Sequence, residues 1–484
     1  MDYCSFKRIF VCCLAGILVV FGGSAGAREN ILQGSVSLGN DYNSNVFQTH
    51  TERTEEWQTA VSPELSLHST GSNDSMVVEY APDFSYNHRR DDQETMQDVT
   101  VSGKKSFSPH WQVSLSDNYN YLDSPVFETD NTLSLAQQFL RADAATRAEI
   151  VRLLFPELVW DPELHLTQVL SEFQQRYDAA PALQPLVNSF LVGGGPDARQ
   201  RYWTNSFAFE SIHKLAPNST LRLGYNFETH DNQTGVLSDR TQHSPSLLFS
   251  YQFNPQWGME LGYLFETVNL DSSDDSKAHN PNLEVDFQQA PNSKMYLSYD
   301  YDAVNYDGAT SDMIDQVAVA GWEYGLDPRT NIDSSVTTSY LAQDTQADQR
   351  GISFDARLSR NIERGMFSVS GDYRFRESSL QGSWQKLSRS WGMSGDVEYT
   401  LSRDASLNFE ISYDRRLNWD ASRVKDTYDD FQLGAGLNYT FLRWFTLQLG
   451  YEYHLFDTSS AILEDYNEHL LSIKLVAAKE LWRW

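Results

Sequence analysis

Acidic side chains recur at alternate positions in short segments of this chain. Asp396 and Glu398 are two residues apart, Glu410 and Asp414 are four apart, and Glu260 and Glu266 are six apart. Arginines join the pattern: Arg357 follows Asp355 by two, and Arg374 and Arg376 follow Asp372 by two and four. Glu228 and Glu452 occupy equivalent places in their own segments. Even spacing puts such residues on one side of a β-strand. Carboxylates gathered on the inner face of a closed sheet would favour cations in a water-filled lumen. The plainer alternative is that polar residues line the inside of any barrel and pair with one another. On either reading the lumen-lining candidates are Glu228, Glu260, Glu266, Asp355, Arg357, Asp372, Arg374, Arg376, Asp396, Glu398, Glu410, Asp414 and Glu452. Arg357, Arg374 and Arg376 form a basic ladder that could grip an anionic sugar or pair with Asp355, Asp372, Asp396 and Glu398.

Catalysis needs a nucleophile with a base, or a metal cluster. Beyond the N-terminal segment there is no G-x-S-x-G, no H-E-x-x-H and no phosphate loop. His454 beside Glu452 is compatible with a Ser–His site of a barrel lipase, or with a plain inward residue. All three cysteines, Cys4, Cys12 and Cys13, precede residue 14, so thiolate metal sites and disulfides are excluded after it. No enzyme, cofactor or metal is expected.

The strands that must position these residues are legible by their period. Phe445 to Phe456 reads FTLQLGYEYHLF. Phe445, Leu447, Leu449, Tyr451, Tyr453 and Leu455 fall on one face, opposite Thr446, Gln448, Gly450, Glu452 and His454. About twenty segments repeat the pattern, and together they predict an all-β, transmembrane, antiparallel up-and-down barrel, apolar outside and wet inside. Five strands precede residue 124 and fifteen follow residue 200. Residues 313–325 alternate poorly. Tight connections such as Asn254-Pro255-Gln256 and Asp327-Pro328-Arg329 alternate with long polar ones such as His230–Arg240 and Trp419–Lys425. That asymmetry is expected of the two rims of an outer-membrane barrel, with the tight turns periplasmic.

Mean hydropathy is low, −0.49. Beyond the N-terminal segment no stretch reaches the roughly 18 apolar residues of a spanning helix. A barrel escapes that test because only alternate residues face lipid. Lys7 and Arg8, the apolar run Ile9 to Phe21 and Ala25-Gly26-Ala27 predict a signal peptide cleaved after Ala27 and a bacterial outer-membrane destination. The cysteines lack a lipoprotein context. The formal net charge of −29 excludes nucleic acid as a partner and suits divalent cations, a cationic solute or a cation-bridged cell surface. The expected organisation is a signal peptide (1–27), N-terminal barrel strands (28–123), a helical insert (124–200) and the remaining strands (201–484). The insert carries Leu135, Phe139, Leu153, Leu154, Phe155, Leu170 and Phe173. It is expected to plug or cap the lumen, the alternative being a surface helical domain beside an open pore.

Trp57, Trp111, Trp203, Trp257 and Trp444 lie beside turns or strand ends, as interfacial girdles require. A sugar-stacking track is the sharper alternative. Trp484 ends the chain, as the outer-membrane insertion machinery reads a terminal aromatic. Its parity opposes that of Ile473 and Leu475, which a bulge around 477–480 would reset.

Ser37-Leu38-Gly39-Asn40-Asp41-Tyr42-Asn43-Ser44-Asn45-Val46-Phe47 resembles the opening G-x-D-x-N-V-F hairpin of β-barrel porin families. These include outer-membrane barrels associated with exopolysaccharide production and exosortase systems. Asn43 departs from the Asp of the Asp-Ser-Asn-Val version. The resemblance implies an outer-membrane pore for passage or export of polysaccharide or oligosaccharide, with no catalytic residues to carry over. A general diffusion porin, and a structural surface protein whose acidic loops bind lipopolysaccharide or matrix, are the alternatives. The expected partners are outer-membrane lipid, lipopolysaccharide, the insertion machinery and polysaccharide.

Overall fold

The computed structural model describes residues 28–46, 53–125 apart from 54 and 90, and 144–155. It further describes 158, 169, 176, 177 and 187, and 199–484 apart from 233–238, 272–273, 309–310, 344–345, 379–385, 421–422 and 460–464. The signal-peptide reading and most of the insert fall outside these residues.

The strands are β1 (Glu29–Asn43), β2 (Glu56–Thr70), β3 (Asp74–Asn87), β4 (Asp92–Ser108), β5 (Trp111–Pro125), β6 (Arg199–Ala216) and β7 (Ser219–Asn232). They continue with β8 (Arg240–Asn254), β9 (Trp257–Leu270), β10 (Ser276–Ala290), β11 (Ser293–Tyr306), β12 (Met313–Asp327), β13 (Thr330–Gln343) and β14 (Gln346–Ile362). The last are β15 (Gly365–Ser378), β16 (Lys386–Ser402), β17 (Ala405–Asp420), β18 (Arg423–Phe441), β19 (Phe445–Thr458) and β20 (Tyr466–Arg483). Among the described residues a helix, α1 (Ala144–Leu154), lies between β5 and β6. Each strand pairs antiparallel with the next, and β1 pairs antiparallel with β20. The 20-stranded sheet is therefore a closed up-and-down barrel. Closure leaves no edge, so the backbone groups of the wall are hydrogen-bonded within it.

Several strands run further than their pattern predicts. The poorly alternating segment 313–325 is β12, and β10 begins at Ser276, ahead of Asn280-Pro281. The β10–β11 ladder skips Asn280 and Pro281 without a change of register. Pro63 and Pro82 interrupt the β2–β3 ladder in the same way. Proline has a strand-compatible φ but no N–H, so it costs a rung while the flanking pairs hold the register.

The tight turns are built from side chains that accept backbone N–H groups. Asn254 Oδ1 accepts from Gln256 N at 2.8 Å and from Trp257 N at 3.1 Å. Asp327 Oδ1 accepts from Arg329 N at 2.7 Å. Asn-Pro and Asp-Pro turns form here because these short side chains cap their own loop. The β18–β19 turn differs: Leu442 (φ 53°) and Arg443 (φ 64°) both occupy the left-handed region.

Opposed residues in a ladder share a face, so register carries face identity round the barrel. Leu447 opposes Leu475, Leu475 opposes Leu38, Leu38 opposes Val61, and Val61 opposes Phe84. These apolar residues are largely exposed, Leu38 at 53% and Phe84 at 47%. A closed sheet with a continuous exposed apolar face turns that face to lipid. On β20 the pairing jumps from Gln33–Glu480 to Leu32–Trp482. Leu481 is the extra residue of a bulge, and it brings Trp482 onto the apolar face with Leu475.

Candidate functional site

The opposite face is polar, and all thirteen residues read from the sequence spacing fall on it. Register links them from strand to strand: Gln242 opposes Glu228, Ser250 opposes Glu260, and Ala278 opposes Glu266. Asp355 and Arg357 oppose Asp372 and Ser370. Arg374 and Arg376 oppose Ser390 and Ser388, and Glu398 opposes Met366. Gly434 lies opposite both Glu410 and Glu452.

Six directly opposed carboxylate pairs recur along this face. They are Glu260–Glu284, Asp302–Asp315, Glu323–Asp333, Asp355–Asp372, Asp396–Glu410 and Asp414–Asp430. Among the described residues no two lysines or arginines oppose each other in a ladder. Like charges at this separation repel and destabilise a sheet. Their repetition on one face gives it a negative field, cancelled in part where Lys294 opposes Glu323 and Arg357 opposes Asp333.

Glu284, two residues before Asp286, follows from the same even spacing, whereas Asp302, Asp315, Glu323, Asp333 and Asp430 are additions to it. Asp315 and Glu323 stand on β12, where Val317 and Val319 break the polar alternation on the same face. Asp302 did carry a signal, since it follows Asp300 by two on β11.

Part of the charge is paired locally. Arg374 Nε lies 2.8 Å from Asp372 Oδ2, Arg222 Nε 3.1 Å from Glu210 Oε1, and Arg416 Nη2 3.8 Å from Asp414 Oδ1. Arg357 donates to Ser368 Oγ at 3.2 Å, and Ser368 donates to Asp396. The basic ladder is thus tied to its acidic neighbours at Arg357 and Arg374. Glu260 and Glu266 instead accept from neutral groups, Ser250 Oγ at 2.8 Å and Gln242 Nε2 at 2.6 Å. Those bonds hold the carboxylates without neutralising them.

His454 Nε2 lies 2.8 Å from Asp430 Oδ1, its Nδ1 is 3.9 Å from Glu468 Oε2, and Tyr466 Oη is 3.4 Å from Nδ1. Among the described residues no serine hydroxyl hydrogen-bonds this ring, so no Ser–His pair forms there. The loop motif after β1 lies next to this cluster. Asn43 donates to Glu468, Ser44 N donates to the His469 carbonyl at 3.0 Å, and His469 N donates to Ser44 Oγ at 2.8 Å. Asn45, fully buried, donates Nδ2 to the Asn467 carbonyl at 3.1 Å. Asn43-Ser44-Asn45 therefore fastens the β1–β20 seam. Phe47 of the same motif lies outside the described residues.

Trp57, Trp111 and Trp257 stand exposed at strand ends on the apolar face, and Trp444 is exposed in its turn. Trp203 shares that face but is 7% exposed.

No curated protein sequence matches the chain. Among solved structures it is similar to the FrpB iron transporter from Neisseria meningitidis, at 8% identity and a TM-score of 0.56. That match covers 93% of this chain and 81% of the transporter. It is similar to the alcaligin outer-membrane receptor FauA from Bordetella pertussis at 10% identity and a TM-score of 0.52, covering 94% and 77%. The outer-membrane protein OpdK from Pseudomonas aeruginosa matches at 12% identity and a TM-score of 0.41, covering 93% and 99%. At these identities the likeness to FrpB and FauA is one of fold. The family model described as "Porin subfamily" matches residues 219–478, more than half of the chain. The chain belongs to the porin subfamily and is a bacterial outer-membrane β-barrel, a pore or channel and not an enzyme.

Proposed function

We propose that the polar face lines a water-filled pore that prefers cations. The observation that carries this is the set of six opposed carboxylate pairs. Their mutual repulsion is relieved by mobile cations in a hydrated lumen, and the same field raises local cation concentration. A barrel of about twenty strands falls between the porins of 16–18 strands, which hold an aqueous channel, and the plugged transporters of 22. Neutral sugars are compatible with such a lining. The loop resemblance at Ser37–Phe47 supports the narrower reading of oligosaccharide or polysaccharide passage. Arg357 and Arg374 are engaged with Ser368 and Asp372, which favours neutral over anionic saccharides.

Reversal potential of the reconstituted protein across a salt gradient is expected to show cation preference. Swelling of liposomes in neutral oligosaccharides should distinguish the solutes. A non-conducting barrel would refute the pore reading, and an anion-selective one the cation preference. Cation selectivity without saccharide flux would refute only the narrower one.

A further inference from the structure

One ladder of the closed barrel stops short of the long-loop rim. Between β14 and β15 the last rung toward that rim is Phe354–Tyr373. Residues 346–353 of β14 stay paired with β13, and 374–378 of β15 with β16, but the two stretches do not pair with each other. Every other ladder reaches the last residues of at least one of its strands at that rim. The wall therefore forks between two strands that a tight turn joins at their other ends.

Particular residues make the fork. Gly351 has no side chain, and the Phe375 ring occupies the space that one would take. A glycine inside a strand often marks such a close approach. Phe375 N donates to Ser353 Oγ at 3.0 Å, a side-chain bond where a ladder bond would stand. The rung below Phe354–Tyr373 is Asp355–Asp372, whose like charges oppose zipping from the base.

The outer side of the fork is apolar at its base, with Ile352 63% and Phe354 48% exposed. An open sheet edge is not tolerated against hydrocarbon, because its N–H and C=O groups find no partner there. Polar atoms must therefore enter the fork. Two exposed arginines flank it on the outer face. Arg350 alternates with Ile352 and Phe354 on β14, and Arg389, opposite Phe375, alternates with Trp391 and Met393 on β16. The Arg350 guanidinium lies 5.3 Å from the Tyr340 ring centre, and that of Arg389 lies 5.7 Å from the Phe375 ring centre. Stacking uses the guanidinium face and directs its N–H donors sideways. Asp348, the carboxylate two residues before Arg350, accepts from Tyr340 Oη at 2.7 Å.

We propose that the β14–β15 fork binds the phosphate of a membrane lipid. The phosphate sits between Arg350 and Arg389, and the acyl chains lie on Ile352 and Phe354. Guanidiniums favour phosphate oxygens, and the N–H groups of an open sheet edge suit an anion in the same way. The site is on the outer wall, so it stands whether or not the lumen selects cations.

Two measurements on the purified barrel test this. Native mass spectrometry in detergent titrates dioleoylphosphatidic acid against dioleoylglycerol, which has the same chains without phosphate, and against oleate. Adducts with the phosphatidic acid are expected, and Arg350→Gln with Arg389→Gln should weaken them about tenfold. Arg403→Gln with Arg443→Gln, at the tight turns, should leave them unchanged. Equal binding of dioleoylglycerol or oleate, parental affinity in the Arg350 and Arg389 variant, or an equal loss in the tight-turn variant would overturn the proposal. Amide exchange needs no substitution. Residues 346–353 should exchange faster than 355–362 in lipid-free detergent and slow when phosphatidic acid is added. Equal protection of the two stretches without lipid would remove the fork, and unchanged exchange on adding lipid would remove its occupant.

Discussion

Asn45 and Asn467 are hydrogen-bonded across the seam of the barrel, Nδ2 to carbonyl, at 3.1 Å. The bond joins the loop after the first strand to the start of the last, where the chain must find its own beginning. Asn45 is fully buried, so its loss leaves a carbonyl without its donor. Asn45→Ala is expected to destabilise the barrel by about 1–3 kcal/mol. The heat-modifiable band should convert at a lower temperature than in the parent.

The opposed carboxylates predict a change in selectivity without loss of fold. Glu284→Gln, Asp302→Asn and Asp333→Asn together remove one charge from each of three pairs. The reversal potential should move toward the unselective value. Stability should hold or rise by about 0.2–1 kcal/mol for each of the Glu284 and Asp302 pairs, whereas Asp333→Asn also loses its attraction to the opposed Arg357. Unchanged selectivity would show that these pairs do not face the conducting path.

The two faces of β19 predict opposite tolerance to charge. Leu449 opposes Leu437 and Ile473 on the apolar face, whereas Gln448 opposes Asn438 and Lys474. Leu449→Arg should cost about 2–4 kcal/mol near the midplane, and Gln448→Arg far less. Denaturant unfolding in lipid measures the difference. Equal costs would contradict the register.

The β18–β19 turn stores removable strain. Leu442 is 76% exposed at φ 53°, so its side chain contributes little packing to offset its backbone. A left-handed conformation costs a non-glycine residue about 1–2 kcal/mol, and Asn tolerates it better. Leu442→Asn is expected to raise the unfolding temperature slightly, with conductance unchanged.

Much of the barrel is legible in the chain, because side-chain alternation is a local property. Phe445 to Phe456 shows its two faces without knowledge of its neighbours, and Asn254-Pro255-Gln256 shows its turn in the same way. The polar side of each strand, and hence the thirteen residues that share a face, follow from period two alone. Pairing is a different kind of information. That Glu260 opposes Glu284 and Asp355 opposes Asp372 depends on register, which is set by two strands and their turn together. Val317 and Val319 on β12 conceal Asp315 and Glu323 from a pattern that counts only polar alternation. Closure is more distant still. The role of Asn45 appears only when β20 returns beside β1, and the burial of Trp203 and Asp117 only when the whole wall is assembled. A strand carries its own periodicity, but its partners and its covering are properties of the closed sheet.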